Sequence, residues 1–144
     1  VYAVVAECDG DIVGSNFLHE HGPVAGIGPI TIDPRVQDRG IGQRLMADVL
    51  ARVVATGRPG VRLVQAAYHS RSLALYARLG FAIREPLAVL QGPPIGARIA
   101  GLEVRAATVF DVEACDALCR AVHGHDRHGE VQGAVARGTA RIVE

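Results

Sequence analysis

The sequence has no lysine and no tryptophan, and its ring-bearing residues apart from histidine are three Tyr and three Phe. All fifteen basic residues are therefore arginines. No lysine means no Walker-type phosphate loop, whose lysine reaches the terminal phosphates, and no lysine side chain open to modification. Cysteine is scarce: Cys8, Cys115 and Cys119 are odd in number and form no C-x-x-C pair. Neither a disulfide framework nor a thiolate zinc site is indicated, and a reducing cytoplasm is the expected setting. No apolar run approaches the roughly 18–20 residues of a membrane span, and no basic-then-apolar leader is expected. Excess charge is missing too. Fifteen basic and fifteen acidic residues cancel, which argues against bulk electrostatic binding of nucleic acid. What remains is 144 residues, 49% of them hydrophobic, enough for one domain.

Residues 2–7 read as a strand, and Asp9-Gly10 as a tight hairpin turn whose two central positions need positive φ. Ile12–Leu18 reads as the returning strand. Val24–Ile32 reads as a third strand, kinked and splayed by Gly26, Gly28 and Pro29. A helix is predicted from Gly40 to Gly57, with Ile41, Leu45, Met46, Val49, Leu50 and Val53 on one face. Val61–Ala67 reads as a strand parallel to the third, completing a βαβ unit. Ser70 is expected to cap a second helix carrying Leu73, Tyr76 and Leu79, stopped by Gly80. Phe81–Leu90 reads as a strand and 92–101 as a linker. Beyond it come a strand at Leu102–Arg105, a Thr108/Asp111 capping pair, a helix stopped by Gly124, a short helix near Val131–Val135, and a strand at Ala140–Val143. Ala3–Glu7 and Ala140–Glu144 match closely enough to suggest an internal repeat.

The most informative stretch is Arg35–Leu45. It follows a strand and opens an amphipathic helix, whose first turn has unpaired N–H groups and a partial positive charge. Gly40 and Gly42 let an anion approach the backbone, and Arg39 adds a cation. These are the parts of a pyrophosphate cradle. With neither a Walker lysine nor a complete G-x-G-x-x-G, ATP and NAD fit it poorly.

Gln37-x-x-Gly40-x-Gly42 after a strand resembles the acyl-CoA pyrophosphate motif of the GNAT superfamily of N-acetyltransferases. Ser72-Leu-Ala-Leu-Tyr76-Ala-Arg-Leu-Gly80-Phe81 is similar to that family's next motif, in the family's order and spacing. The resemblance covers residues 1 to about 90. It implies an α/β fold: a mixed, mostly antiparallel twisted sheet with a splayed parallel strand pair and flanking helices. It implies acetyl-CoA as cosubstrate, seated in the gap between the splayed strands. Backbone of Ile30, Thr31 and Ile32 would meet the pantetheine arm, and Gln37, Asp38, Arg39, Gly40, Ile41, Gly42 and Gln43 would hold the pyrophosphate. His69 and Ser72 join that cofactor set, and Tyr76 matches the family's usual acid for the departing thiolate. The implied reaction is acetyl transfer to a primary amine of a small molecule or peptide. The competing implication is a non-catalytic acyl-CoA-binding or scaffold domain of a tandem protein.

The sequence departs from the family pattern in two ways. Many members carry a carboxylate base on the strand before the phosphate loop, and Val24–Ile32 has none. Glu7, His19, Glu20 and His21 remain open as bases. His69 stands where the family often has Asn; it could contact the cofactor, reach the amine, or cap a surface turn. The second departure concerns the strand and two helices that open the family fold. Residues 102–144 are similar to that opening, while 1–91 form the cofactor-binding core. A tandem protein, a permuted domain, or exchange of 102–144 between two chains of a homodimer would each account for this, against the plainer reading of an unrelated appendage.

Three further groups stand out. His123, His125, Asp126 and His128 read first as a solvated loop, then an acceptor loop, and last as a metal site. Cys115 and Cys119, four apart on an apolar stripe, read as buried inert thiols. Arg35, Arg39 and Arg44 form a small basic patch that the cofactor phosphates would use; no nucleic-acid or membrane partner is expected.

Overall fold

The computed structural model describes residues 1–93, 96 and 98–144. Strands β1 (Tyr2–Cys8) and β2 (Asp11–His19) form an antiparallel hairpin. Its turn has φ of 54° at Asp9 and 89° at Gly10, the two positive values that the Asp-Gly pair predicts. β3 (Val24–Ile27) pairs antiparallel with the end of β2, with Leu18 opposite Ile27 and His19 opposite Gly26.

The expected single strand Val24–Ile32 is two strands. At Gly28 (φ 121°) and Pro29 the chain leaves its course, and β4 (Thr31–Ile32) rejoins β2 with Gly14 opposite Ile32. Helix α1 (Ile41–Ala55) crosses to β5 (Gly60–Leu63), which runs parallel to β3 from Val24–Gly60 to Ile27–Leu63. The strand expected at Val61–Ala67 therefore stops early. Its partner turns away after Ile27, and among the described residues β4 pairs with β2 alone. This divergence is the expected splay. The sheet order is β1-β2-β3-β5, mostly antiparallel with one parallel pair.

Along β2 the side chains alternate, and Asn16 and Leu18 face α1. Leu18, Ala25 and Ile27 pack against Met46, Val49 and Val53 of α1 and Tyr76 of helix α2 (Ser70–Arg78). Burying each aliphatic side chain contributes roughly 1.5–3 kcal/mol. Asn16 is wholly buried yet satisfied: its amide donates to the Leu45 carbonyl (3.3 Å) and its oxygen accepts the Phe17 N–H (2.9 Å).

Two local expectations are corrected. The cap position of α2 is His69, not Ser70, and no side chain caps it. Phe81–Leu90 forms no strand: Ile83, Leu87, Val89 and Leu90 are exposed. Pro86 lacks a ladder donor, and Phe81 is drawn back to the helix, its N–H donating to the Tyr76 carbonyl (3.0 Å).

After the expected linker at 92–101, part of which lies outside the described residues, β6 (Val104–Ala106) pairs antiparallel with β7 (Arg141–Val143) in a sheet of their own. Between them lie α3 (Val112–His123) and α4 (His128–Ala136), so the order is strand-helix-helix-strand. β1 and β7, the two halves of the proposed repeat, are both strands with different partners. The capping box is present: the Asp111 carboxylate accepts from the Thr108 N–H (2.7 Å) and is held by the Arg105 fork (2.8 and 2.9 Å). Gly124 stops α3 at φ 77°. Cys115 and Cys119 are half-buried rather than enclosed, because the stripe they belong to is only partly covered. This segment meets the rest of the chain through Arg62 of β5, which reaches His125 (3.3 Å) and Glu130 (3.2 Å), and through Gly129 against the His21 carbonyl.

Candidate active site

The site is assembled where β3 and β4 part from β5. Asp33 follows β4 and accepts from the N–H and guanidinium of Arg35, which holds its carboxyl down at about 2. Arg35 is therefore engaged with Asp33 rather than free for a ligand. A short helical turn at Pro34–Val36 follows, then the loop Gln37–Gly40. Asp38 (φ 67°) and Gly40 (φ 75°) are both left-handed. Gly40 is the cap residue of α1 and no side chain caps this terminus, so the leading N–H groups of Ile41, Gly42 and Gln43 lack a helical partner. A side chain built on Gly40 would point into open space. Gly42 differs: a Cβ there would lie 2.8 Å from Cδ1 of Ile32 and 3.5 Å from Cδ2 of Leu75. Its small size serves helix–strand and helix–helix packing. No ion pair among the described residues engages Arg39 or Arg44.

Thr31 and Ile32 bond to β2 through one edge and leave the other toward the gap. The Thr31 hydroxyl is hydrogen-bonded to that of Ser15 (2.8 Å).

Helix α2 brings Tyr76 to the same region. Its ring is buried in the core and lies 6.0 Å from that of Phe81. The Tyr-x-x-Leu-Gly-Phe stretch is a helix stop in physical terms. Phe81 and Gly80 donate to the carbonyls of Tyr76 and Ala77, Gly80 takes φ 89°, and the two rings close the turn. Burial pushes the Tyr76 phenol up, opposed by a hydrogen bond with Ser72. The phenol therefore stays protonated at neutral pH, as a proton donor must. Ser72 faces Tyr76, and the exposed His69 ring lies tilted against that of Tyr68, with centroids 4.5 Å apart.

Of the four open bases, Glu20 is bound to Arg52 (3.1 Å), which lowers its pKa, and it also lies near Arg58. His19 sits on the sheet face away from α1, with Nε2 at 3.0 Å from the Gly28 carbonyl, where the strands diverge. His21 lines a small cavity of about 170 Å³ with His19, Arg62 and Glu130, and Glu7 is an exposed residue of β1. The histidine loop is divided among separate partners: His125 meets Arg62, Asp126 meets Arg120 (3.4 Å), and His128 meets the buried Asp116 (2.6 Å). Among the described residues no three such side chains converge on a point that could hold a metal.

The family profile described as Acetyltransferase (GNAT) domain matches residues 1–83, more than half of the chain. The chain belongs to the GNAT acetyltransferase family. The GNAT architecture recurs in solved structures. An acetyltransferase of Trypanosoma brucei is 26% identical, with TM-score 0.54 over 62% of this chain and 67% of that one. A GNAT family acetyltransferase of Elizabethkingia anophelis with acetyl-CoA bound is 23% identical, with TM-score 0.54 over 58% and 55%. AAC(6')-Iy, in complex with a CoA-linked bisubstrate analogue, is 20% identical, with TM-score 0.55 over 64% and 69%. The last two likenesses speak for the fold alone. The matched part thus spans between about half and two-thirds of those GNAT chains. No curated protein matches the sequence. No helix among the described residues is long and apolar enough to cross a membrane.

Sequence reasoning missed Arg71, whose guanidinium reaches from α2 to Gln37 and Asp38 of the loop before α1. The available signal was a cation in the first turn of a helix, where the dipole disfavours it.

Proposed function

We propose that the chain binds acetyl-CoA and transfers its acetyl group to a primary amine of a small molecule or peptide. One observation carries this reading: the uncapped α1 terminus, with left-handed Gly40 beside it, opens at the point where β4 and β5 diverge. Amides of residues 41–43 supply donors for a pyrophosphate, and Arg39 supplies charge. The free edge of Thr31–Ile32 supplies backbone groups for an extended arm. The acetyl donor contributes an activated thioester.

In the proposed reaction the amine nitrogen bonds to the acyl carbon, the carbon–sulfur bond breaks, and the pair stays on sulfur. Tyr76 donates the proton that the thiolate takes. His19 is assigned as the base that takes the proton of the attacking amine. With Nε2–H donated to Gly28, its Nδ1 lone pair is free. Residues 102–144 are assigned to the acceptor side, as part of a tandem, permuted or exchanged arrangement. Three free cysteines suit a reducing cytoplasm.

Calorimetry with acetyl-CoA on the wild type and Gly40→Glu tests the cofactor assignment. A carboxylate at residue 40 should oppose the pyrophosphate by charge and bulk, and equal affinity in both proteins would remove it. A second reading, a CoA-binding scaffold, is favoured by the absence of a carboxylate on Val24–Ile32. Thiol release across an amine panel separates the two, since tight binding without turnover selects the scaffold.

A further inference from the structure

Arg71 lies in the first turn of α2, where the helix dipole makes a cation unwelcome and no acidic residue of that turn offsets it. Its compensation comes from across the cleft. Nη1 donates to Oε1 of Gln37 and Nη2 to Oδ2 of Asp38, each at 2.8 Å. These two acceptors are consecutive residues of the loop that leads into α1. The second of them holds a left-handed conformation (φ 67°) without being glycine. Outside glycine that shape is uncommon, and a grip on the side chain helps to hold it. A planar guanidinium with two parallel donors is suited to gripping two oxygens at once. A second brace lies one turn along α2, where Leu75 approaches Gly42 of α1. The phosphate loop and the helix carrying Tyr76 are thus tied at two points.

We infer that Arg71 is a positioning residue: it holds Gln37 and Asp38 so that the α1 amides are already aimed when acetyl-CoA arrives. This rests on the acetyl-CoA reading. It also reassigns Gln37 and Asp38, whose side chains serve Arg71 while the loop's backbone serves the phosphates. A cation that instead bound phosphate directly would behave differently when its protein partners are removed.

The test is a mutant cycle on the full chain, read by calorimetry with acetyl-CoA and by steady-state rates. Arg71→Gln should weaken acetyl-CoA binding about three- to fivefold, the scale of an exposed paired charge. Its KM for acetyl-CoA should rise by the same factor, with kcat at saturation changed less than about twofold. Arg71→Lys, which cannot fork to both oxygens, should recover only part of the loss. In a Gln37→Ala, Asp38→Gly background, adding Arg71→Gln should cost almost nothing more. A full independent loss in that background would overturn the proposal and make Arg71 a phosphate ligand. Unchanged affinity in Arg71→Gln would also overturn it, while leaving the acetyl-CoA reading intact. No binding by the wild type would instead remove both. Arg71 is two-thirds exposed (66%), so thermal melts of the variants should match the wild type.

Discussion

Gly40 and Gly42 are glycines for different reasons, and substitution separates them. Gly40 has room for a side chain but a φ of 75° that penalises one. Gly40→Ala should lower stability by about 1 kcal/mol in urea melts. Gly42→Ala gains helix propensity of about 1 kcal/mol and loses a similar amount as the Ile32 tip shifts. Its melt should stay near the wild type, while a Leu at 42 would force β4 and α2 apart. At Tyr76 the ring and hydroxyl also separate. Tyr76→Phe keeps the packing and should leave the melting temperature within about 2 °C, while kcat falls about 10–100-fold. An unaltered kcat would remove Tyr76 as the acid. Tyr76→Ala should cost about 3–5 kcal/mol of stability.

At the scale of elements, the sequence was legible wherever one local rule decides the outcome. The Asp9-Gly10 turn, the α1 stripe, the Gly80 stop and the Thr108/Asp111 box all follow from conformation or spacing within a few residues. It was illegible where a partner decides. Val64–Ala67 has strand-like residues but loses its neighbour at Gly28, and Phe81–Leu90 has apolar residues and no ladder. The turn into α1 at Gly40 was legible, but the hold of Arg71 on the loop before it depends on a helix thirty-odd residues away, which no spacing rule shows. Acid tests another local element. Asp111 is held far below the usual carboxylate range by Arg105 and Thr108, and Asp33 is held at about 2. A depressed folded pKa contributes stability above the unfolded value, lost as pH falls toward the folded one. Melting temperature should therefore drop as pH goes from about 4 toward 2. Asp111→Asn should be less stable at neutral pH and show a shallower acid decline; an unchanged slope would show that the Arg105 pair contributes nothing.

At the scale of the whole molecule, the chain divides into a packed body and a smaller strand-helix-helix-strand piece. Trypsin cuts after arginine, and Arg84 and Arg98 lie in exposed backbone outside any helix or strand. Limited digestion should cut there first, before any arginine of α1 or α2; early cuts within α1 would contradict the packing described. The side-chain hydrogen bonds between the two pieces come from Arg62, half in water, gripping Glu130 and His125, beside the backbone contact of Gly129 with His21. Such a seam answers to ionic strength more than to heat, because dissolved ions screen it over about 8 Å in physiological salt. Small-angle scattering across a salt series would read this as a growing radius of gyration, with the secondary structure of each piece unmoved.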